Sequence, residues 1–153
     1  MRHGDAEPIQ RNDKARKLTT LGEKQAANAG HWLAKYTRNT NGIDVALVSP
    51  YVRAVQTYEQ LIKHVNVTTN ETNEDIIPSG DSAMTHDYID AMLSTNKIKS
   101  SLLIVSHMPF VSYLLDELLS NKISLLFATT SMAVIDYSIE KSSGELIEIY
   151  HPI

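Results

Sequence analysis

Two arginines and two histidines in this sequence have the chemistry needed to act on an anion. Arg2 and His3 begin the segment RHG, Arg53 lies within SPYVRAVQT, and His107 lies within SHMP. Arginine guanidinium groups match phosphate oxygens through two-point hydrogen bonds, and a neutral imidazole can serve as nucleophile, base or hydrogen-bond donor near neutral pH. If the fold brings the four residues together, they form a site suited to phosphoryl chemistry.

Each of these residues has an ordinary explanation when it is taken alone. A histidine at the end of a strand is more often a surface group than a catalytic one, and a single arginine can be a solvated helix charge. A metal site of His3 and His107 with Asp5 or Asp81 is a further alternative, but the sequence has no closely spaced ligand pair such as His-x-His. The remaining histidines have no such neighbours and are interpreted as structural: His31, His64, His86 and His151.

The hydrophobic pattern predicts how the three segments are carried to one place. The apolar runs at 43 to 49 and 101 to 106 are too short for helices and too continuous for half-exposed strands, so they are typical of buried parallel strands. Helical patterns follow both strands, and further helices are predicted at 20 to 37 and about 81 to 93. The alternation of MAVIDYSI and ELIEIY around a turn predicts a hairpin.

These elements predict an α/β fold: a three-layer sandwich with a mostly parallel central sheet flanked by helices, and a C-terminal β-hairpin. Ligands of such sheets bind beyond the carboxyl ends of the strands, where SPYVRAVQT and SHMP are expected. In the helix at 20 to 37, Thr20 and Glu23 have capping-box spacing. Its expected buried side consists of Leu21, Trp32, Leu33 and Tyr36.

Composition limits the classes of protein that the chain can belong to. A length of 153 residues fits a single domain over 1 to 153, and 42% hydrophobic with 21% charged residues is ordinary for a globular chain. The absence of cysteine excludes disulfides and thiolate zinc sites. A net charge of −4 does not indicate the basic surface that binds nucleic acid, and no apolar run reaches the length of a membrane span. Without a signal-peptide pattern, we expect a cytoplasmic protein that binds neither membrane nor nucleic acid.

Taken in order, the motifs resemble those of the histidine phosphatase superfamily, which shares the phosphoglycerate mutase-like fold. LTTLGEKQA at 18 to 26, SPYVRAVQT at 49 to 57 and VSHMP around His107 match its elements beside Arg-His-Gly. Within the superfamily, IIPSGD at 76 to 81 and FATTSMAVI at 127 to 135 are most similar to the SixA-type phosphohistidine phosphatases. Larger relatives carry a helical insertion between the arginine helix and the second histidine. The short interval here implies no helical cap insertion and a shallow, open site.

The resemblance implies a role for each of the four residues. His3 would attack phosphorus to give a phosphohistidine intermediate that water hydrolyses, while Arg2, Arg53 and His107 would hold the phosphoryl oxygens. No metal or other cofactor is implied. The general acid cannot be assigned by its motif; the candidates are Glu74, Asp75 and Asp81.

The resemblance also implies a substrate class. We expect a phosphohistidine-bearing phosphorelay or phosphotransfer protein, because a phosphohistidine can release a neutral imidazole and needs no strong dedicated acid. A small-molecule phosphomonoesterase of the same superfamily is one alternative. A non-catalytic phosphohistidine-binding module is another.

One departure from the family pattern concerns the residues before Arg2. Family members carry a hydrophobic strand there, in the middle of the sheet, whereas only Met1 precedes Arg2 in this sequence. Either the sequence begins at an internal methionine, which we favour, or the chain lacks this strand. In the second case we expect two strands to lose a backbone partner and His3 to sit on a mobile end.

Overall fold

A layer of parallel strands lies between two pairs of helices. The computed structural model describes residues 1–153, and a short 3-10 helix over Asp13–Ala15 precedes the first α-helix. The elements are α1 Thr20–Tyr36, β1 Ile43–Val48, α2 Val52–Leu61, β2 Val67–Thr72, α3 Ser82–Ser94, β3 Leu102–Val105, α4 Phe110–Leu118, β4 Met132–Ser138 and β5 Ser143–Tyr150. Strands β2, β1 and β3 pair in that order and in parallel, and β4 pairs with β5 as an antiparallel hairpin. The predicted α/β architecture with its C-terminal hairpin is confirmed.

Strand β1 is apolar apart from Asp44 near its start, because helices cover both of its faces. Ala46 and Val48 pack into a core shared with α1 and α2, whereas Val45 and Leu47 pack into a second core with α3 and α4. All four of these side chains are buried. A strand with alternating polar residues could not satisfy both cores, which is why the run was recognisable from sequence.

Strand β2 was not predicted, because its sequence VTTNET carries little hydrophobic signal. It pairs only with β1, from Ile43 opposite Val67 to Val48 opposite Thr72, and most of its side chains are exposed or half-buried. Its place in the sheet therefore depends on backbone hydrogen bonds to β1 more than on side-chain burial.

Helix α1 is capped one residue earlier than we predicted, and its buried face is only partly the predicted one: Leu33 is buried and Trp32 packs against the core, but Leu21 and Tyr36 do not. Thr19 is the N-cap, since its hydroxyl accepts a hydrogen bond from the Gly22 N–H at 3.1 Å. Leu21 and Tyr36 are 57% and 42% exposed. The buried face consists of Gly22, Ala26, Ala29, Gly30 and Leu33. Small residues are needed because α2 lies close: a Cβ at Gly30 would be 3.2 Å from the Leu61 Cα.

Residues 1 to 3 lie between the parallel sheet and the hairpin. Met1 O accepts from Ser106 N at 3.0 Å, and Arg2 pairs with Ser106 in the parallel sense. On the other side, Arg2 N donates to Ser131 O at 3.2 Å. Alongside this segment a cavity of about 430 Å³ separates β3 from β4, lined mostly by apolar side chains that include Leu102, Ile104, Val134 and Ile135.

Strands β3 and β4 are edge strands of their two sheets and both line this cavity, which leads to a prediction. We expect an extension of five alternating Val and Ile residues before Met1 to pair with β3 and β4 and to fill the cavity. Apolar burial and new backbone pairing should raise the Tm by about 5 °C or more. A Gly-Ser extension of the same length is the matched control. Equal Tm values for the two extended chains, measured by calorimetry, would show that the cavity does not accept a strand.

Candidate active site

The carboxyl ends of β1 and β3 bring the three sequence segments together. Ser49 follows β1 and His107 follows β3. His3 is held beside them because its main-chain N–H donates to the main-chain oxygen of Ser106 at 3.0 Å. The rings of His3 and His107 have centroids 5.0 Å apart, and Arg53 Nε lies 3.2 Å from His3 Nε2. Arg2 directly precedes His3. The structure therefore places all four predicted residues in one cluster at the edge of the sheet.

The hydrogen bonds of His3 fix its tautomer. Nδ1 lies 2.7 Å from the Gly4 carbonyl oxygen, which can only accept, so Nδ1 carries the proton. Nε2 receives the Nε–H of Arg53, which can only donate, so Nε2 carries the lone pair. The main chain of His3 is held on both sides, by Ser106 and by Thr130 N at 3.1 Å from His3 O. These bonds hold residue 3 even though only Met1 precedes Arg2, and His3 presents a nucleophilic nitrogen in a defined orientation.

Arg53 is anchored by both ends of its guanidinium group. Its Nη1 donates to Asp13 O at 2.7 Å and its Nη2 to Asp13 Oδ2 at 3.1 Å, while Nε faces His3. The two-point fork that we expected for phosphate is thus directed at Asp13. Three of the five N–H donors of the group are engaged in these contacts. Nε is the donor nearest the nucleophile.

His107 and its neighbours make the site less open than we predicted. His107 Nε2 lies 2.7 Å from Ser49 Oγ. The Tyr51 ring lies against His107 and Arg53: its centroid is 4.8 Å from that of the His107 ring and 4.9 Å from the Arg53 Cζ. His3, Arg53 and His107 are only 7%, 3% and 1% exposed. The Tyr51 ring, tilted by 60° to the His107 ring, contributes to this low exposure, even though no helical insertion covers the cluster.

Unsatisfied polar groups concentrate around Arg2. Its Nη1 donates to Phe127 O at 2.8 Å, but its Nε is buried without a partner. The other buried side-chain atoms without a partner are His107 Nδ1, Thr130 Oγ1 and Ser131 Oγ. Thr130 has a left-handed φ of 60° and donates its N–H to the carbonyls of both Arg2 and His3. Orphaned polar groups and backbone strain are costly, and they are typical of functional sites.

Thr57 and Gly4 connect the segment that carries His3 to helix α2. Thr57 Oγ1 donates to Arg53 O at 2.7 Å and accepts from Gly4 N at 3.0 Å, which ties the RHG segment to α2. Gly4 has no room for a side chain, since a Cβ there would be 2.7 Å from Gly22 O. Sequence reasoning did not assign Thr57 or Ser49, although both lie in the quoted SPYVRAVQT segment. Asp13 had no recognisable signal.

The environment keeps both imidazoles neutral. Burial lowers the pKa of His3 to about 4, against the hydrogen bond to Gly4, and the charges of Arg53 and Arg2 lower it further. Burial, then His3 and Arg53, lower the pKa of His107 to about 2. Burial also lowers the pKa of each arginine, but a guanidinium remains protonated at pH 7. The site therefore combines two fixed positive charges with two neutral imidazoles.

The candidate carboxylates are engaged elsewhere. Asp81 caps α3, where its Oδ1 accepts from Met84 N at 3.0 Å. Glu74 forms an ion pair with Lys14 at 3.6 Å, and Asp5 Oδ2 accepts from the Thr19 hydroxyl. Asp75 is exposed, and none of these carboxylates is hydrogen-bonded to the four clustered residues. No group of three or more His, Cys, Asp or Glu side chains is arranged to hold a metal ion.

Comparison with known proteins decides the family. Residues 1–76 match the model of the histidine phosphatase superfamily (branch 1). The chain is 37% identical over 147 residues to a phosphohistidine phosphatase SixA homolog from Haemophilus influenzae, covering 93% of this chain and 88% of that protein. The chain belongs to the histidine phosphatase superfamily. Arg2, His3 and Arg53 lie within the residues matched by the superfamily model.

Other relatives extend the match across the fold. The phosphohistidine phosphatase SixA of Escherichia coli is 34% identical over 134 residues, covering 87% of this chain and 80% of that protein. A structure of the protein histidine phosphatase SixA complexed with tungstate superposes with a TM-score of 0.87 at 31% identity, covering 97% of this chain and 92% of that one. This histidine phosphatase chain has no helix with both the length and the apolar character required to cross a membrane.

Proposed function

We propose that this histidine phosphatase removes phosphoryl groups from phosphohistidine on a phosphorelay or phosphotransfer protein, through a covalent intermediate on His3. One observation carries the proposal: the lone pair of His3 Nε2 is fixed beside two arginines and a second neutral histidine. The relatives named phosphohistidine phosphatases support the substrate class, and the relative solved with tungstate, an oxyanion, supports an anion site in this fold.

In the first step, His3 Nε2 attacks phosphorus. The bond from Nε2 to phosphorus forms as the bond from phosphorus to the substrate imidazole nitrogen breaks, and the electron pair stays on that imidazole. Arg53 Nε must release His3 Nε2 at this stage, because the same lone pair makes the new bond. The freed N–H then faces the incoming phosphoryl group and can donate to one of its oxygens.

The charges of the cluster suit the transition state. Negative charge spreads over the three equatorial phosphoryl oxygens, and we expect the positive charges of Arg2 and Arg53 to stabilise it. His107 contributes as a neutral ring next to His3. Because both histidines are neutral, His3 needs no prior deprotonation in order to react at pH 7.

In the second step, water attacks the phosphohistidine: the bond from oxygen to phosphorus forms as the bond from phosphorus to His3 Nε2 breaks, the electron pair returns to Nε2, and both water protons leave with the product as dihydrogen phosphate. Neither step requires one of the candidate carboxylates when the substrate is phosphohistidine, since an imidazole protonated on its other nitrogen leaves as a neutral molecule. An alkyl phosphate would instead expel an alkoxide. None of the candidate carboxylates Glu74, Asp75 and Asp81 is bonded to the cluster. Asp13 does bind Arg53, but Arg16 and Arg53 hold its pKa below the ordinary value, so it is a poor proton donor, and this favours phosphohistidine over sugar phosphates.

A comparison of two substrates tests this preference. We expect kcat/KM to be at least ~10²-fold higher for a histidine-phosphorylated phosphotransfer protein than for 3-phosphoglycerate, equivalent to about 2.7 kcal/mol. Steady-state phosphate release on both substrates measures the ratio. Comparable values would favour the small-molecule phosphomonoesterase. Tight binding of the phosphorylated protein without turnover would favour the non-catalytic binding module.

A further inference from the structure

Asp13 is the residue on which the orientation of Arg53 depends. It lies in the segment before α1, 40 positions from Arg53; its main-chain oxygen accepts from Arg53 Nη1 and its carboxylate accepts from Nη2. Its carboxylate also binds a third group, since Oδ1 accepts from Arg16 Nη1 at 2.8 Å. Arg16 is held in turn by its Nε, which donates to Glu7 O at 2.7 Å. The carboxylate of Asp13 thus links the arginine of the cluster to the loop beside it.

The placement of Asp13 is unusual for an anion site. A carboxylate next to a site for a phosphoryl group opposes the binding of that group through its charge. Its own charge is well stabilised, because the hydrogen bond from Arg16 and the charge of Arg53 hold the pKa of Asp13 below its ordinary value. A negative charge kept at this place needs a compensating role, and its contacts indicate one.

That role follows from the shape of the guanidinium group. With Nη1 and Nη2 both bound to Asp13, the plane of the group is fixed and Nε is directed at His3 Nε2. Without the carboxylate, Nη2 would lose its partner and, of the two bonds to residue 13, only that from Nη1 to the main-chain oxygen would remain, so the group could pivot about that single bond. The Nε donor would then no longer be held where phosphorus is attacked.

We propose that Asp13 is a positioning residue, which fixes Arg53 so that its Nε–H faces the oxyanion and the nucleophile. The inference rests on the proposed function only in requiring that the cluster binds a phosphate-like oxyanion. A positioning role and a purely electrostatic one predict opposite signs. Loss of a nearby negative charge should tighten oxyanion binding, whereas loss of the anchor should weaken it.

Orthovanadate binding to the full chain, measured by calorimetry, separates the two roles. We expect Asp13→Ala to weaken vanadate binding by about 10-fold or more. Asp13→Asn, which keeps one acceptor oxygen of similar shape, should fall between Asp13→Ala and the unchanged chain. Glu74→Gln is the matched control. Glu74 pairs with Lys14, the neighbour of Asp13 in sequence, but it does not contact Arg53, so this variant removes a nearby negative charge and leaves the anchor intact. This control should bind vanadate as well as the unchanged chain or slightly better.

A double-mutant cycle identifies the route of the effect. If Asp13 acts through Arg53, then adding Asp13→Ala to Arg53→Ala should change vanadate binding by less than about twofold. Vanadate binding that is unchanged or tighter in Asp13→Ala, or a full further loss in the Arg53→Ala background, would overturn the positioning role. If the unchanged chain bound vanadate but did not hydrolyse phosphohistidine, the result would count against the proposed substrate and not against the positioning role of Asp13.

Discussion

Replacing His3 by alanine is expected to abolish turnover, with a loss on the order of 10⁴-fold or more in kcat. The variant lacks His3 Nε2, the unprotonated ring nitrogen that faces Arg53 and would attack phosphorus. The fold should persist, because the main-chain groups of residue 3 keep their bonds to Ser106 and Thr130. Phosphate release from a histidine-phosphorylated protein measures the loss.

The matched control for this variant is His151→Ala, which removes an exposed imidazole from the C-terminal tail. Its rate should equal that of the unchanged chain. A His3→Ala chain with the thermal unfolding of the control but no activity would support the nucleophile. Turnover at the control rate in His3→Ala would remove His3 from the mechanism.

Arg53→Lys is expected to lower kcat/KM by about 10²-fold or more, equivalent to about 2.7 kcal/mol of transition-state stabilisation. The ammonium of lysine is a single point, whereas Arg53 bonds through Nε to His3 and through both Nη groups to Asp13. Lysine can keep the positive charge, but it cannot be anchored and face the nucleophile at the same time. Steady-state kinetics on the phosphorylated protein checks the prediction.

Arg38→Lys provides the comparison for Arg53→Lys, because Arg38 is exposed just after α1. It should leave the kinetics unchanged. If Arg53→Lys were as active as Arg38→Lys, the geometry of the guanidinium group would be irrelevant and charge alone would account for its role.

Much of the fold could be predicted because the buried strands carry strong signals. Strand β3 is a continuous apolar run, strand β1 is one from Val45 onward, and a helix follows each of them, as a parallel sheet requires. Strand β2 could not be predicted in this way, since its pairing with β1 is a property of the backbone and its side chains are polar. The predicted buried face of α1 was wrong at Leu21 and Tyr36 for a related reason: the helix packs closely through glycines and alanines, which carry little hydrophobic signal.

The clustered residues could be predicted by type, but their mutual arrangement could not. His3, Arg53 and His107 lie in short motifs, so sequence alone indicated them. The direction of the Arg53 fork depends on Asp13, whose contact spans 40 positions and leaves no local pattern. The low exposure of the cluster depends on Tyr51, which looks in sequence like an ordinary residue at a helix start. The cytoplasmic location and the single-domain organisation stay predictions.

Trapping of the phosphoenzyme tests the central claim most directly. The unchanged chain would be mixed with a histidine-phosphorylated protein carrying labelled phosphate, quenched in base within milliseconds and mapped by peptide. We expect acid-labile, base-stable label on the peptide that contains His3, and none in the His3→Ala chain. Label on His107 instead, or rapid phosphate release with no labelled enzyme at any quench time, would contradict a covalent intermediate on His3.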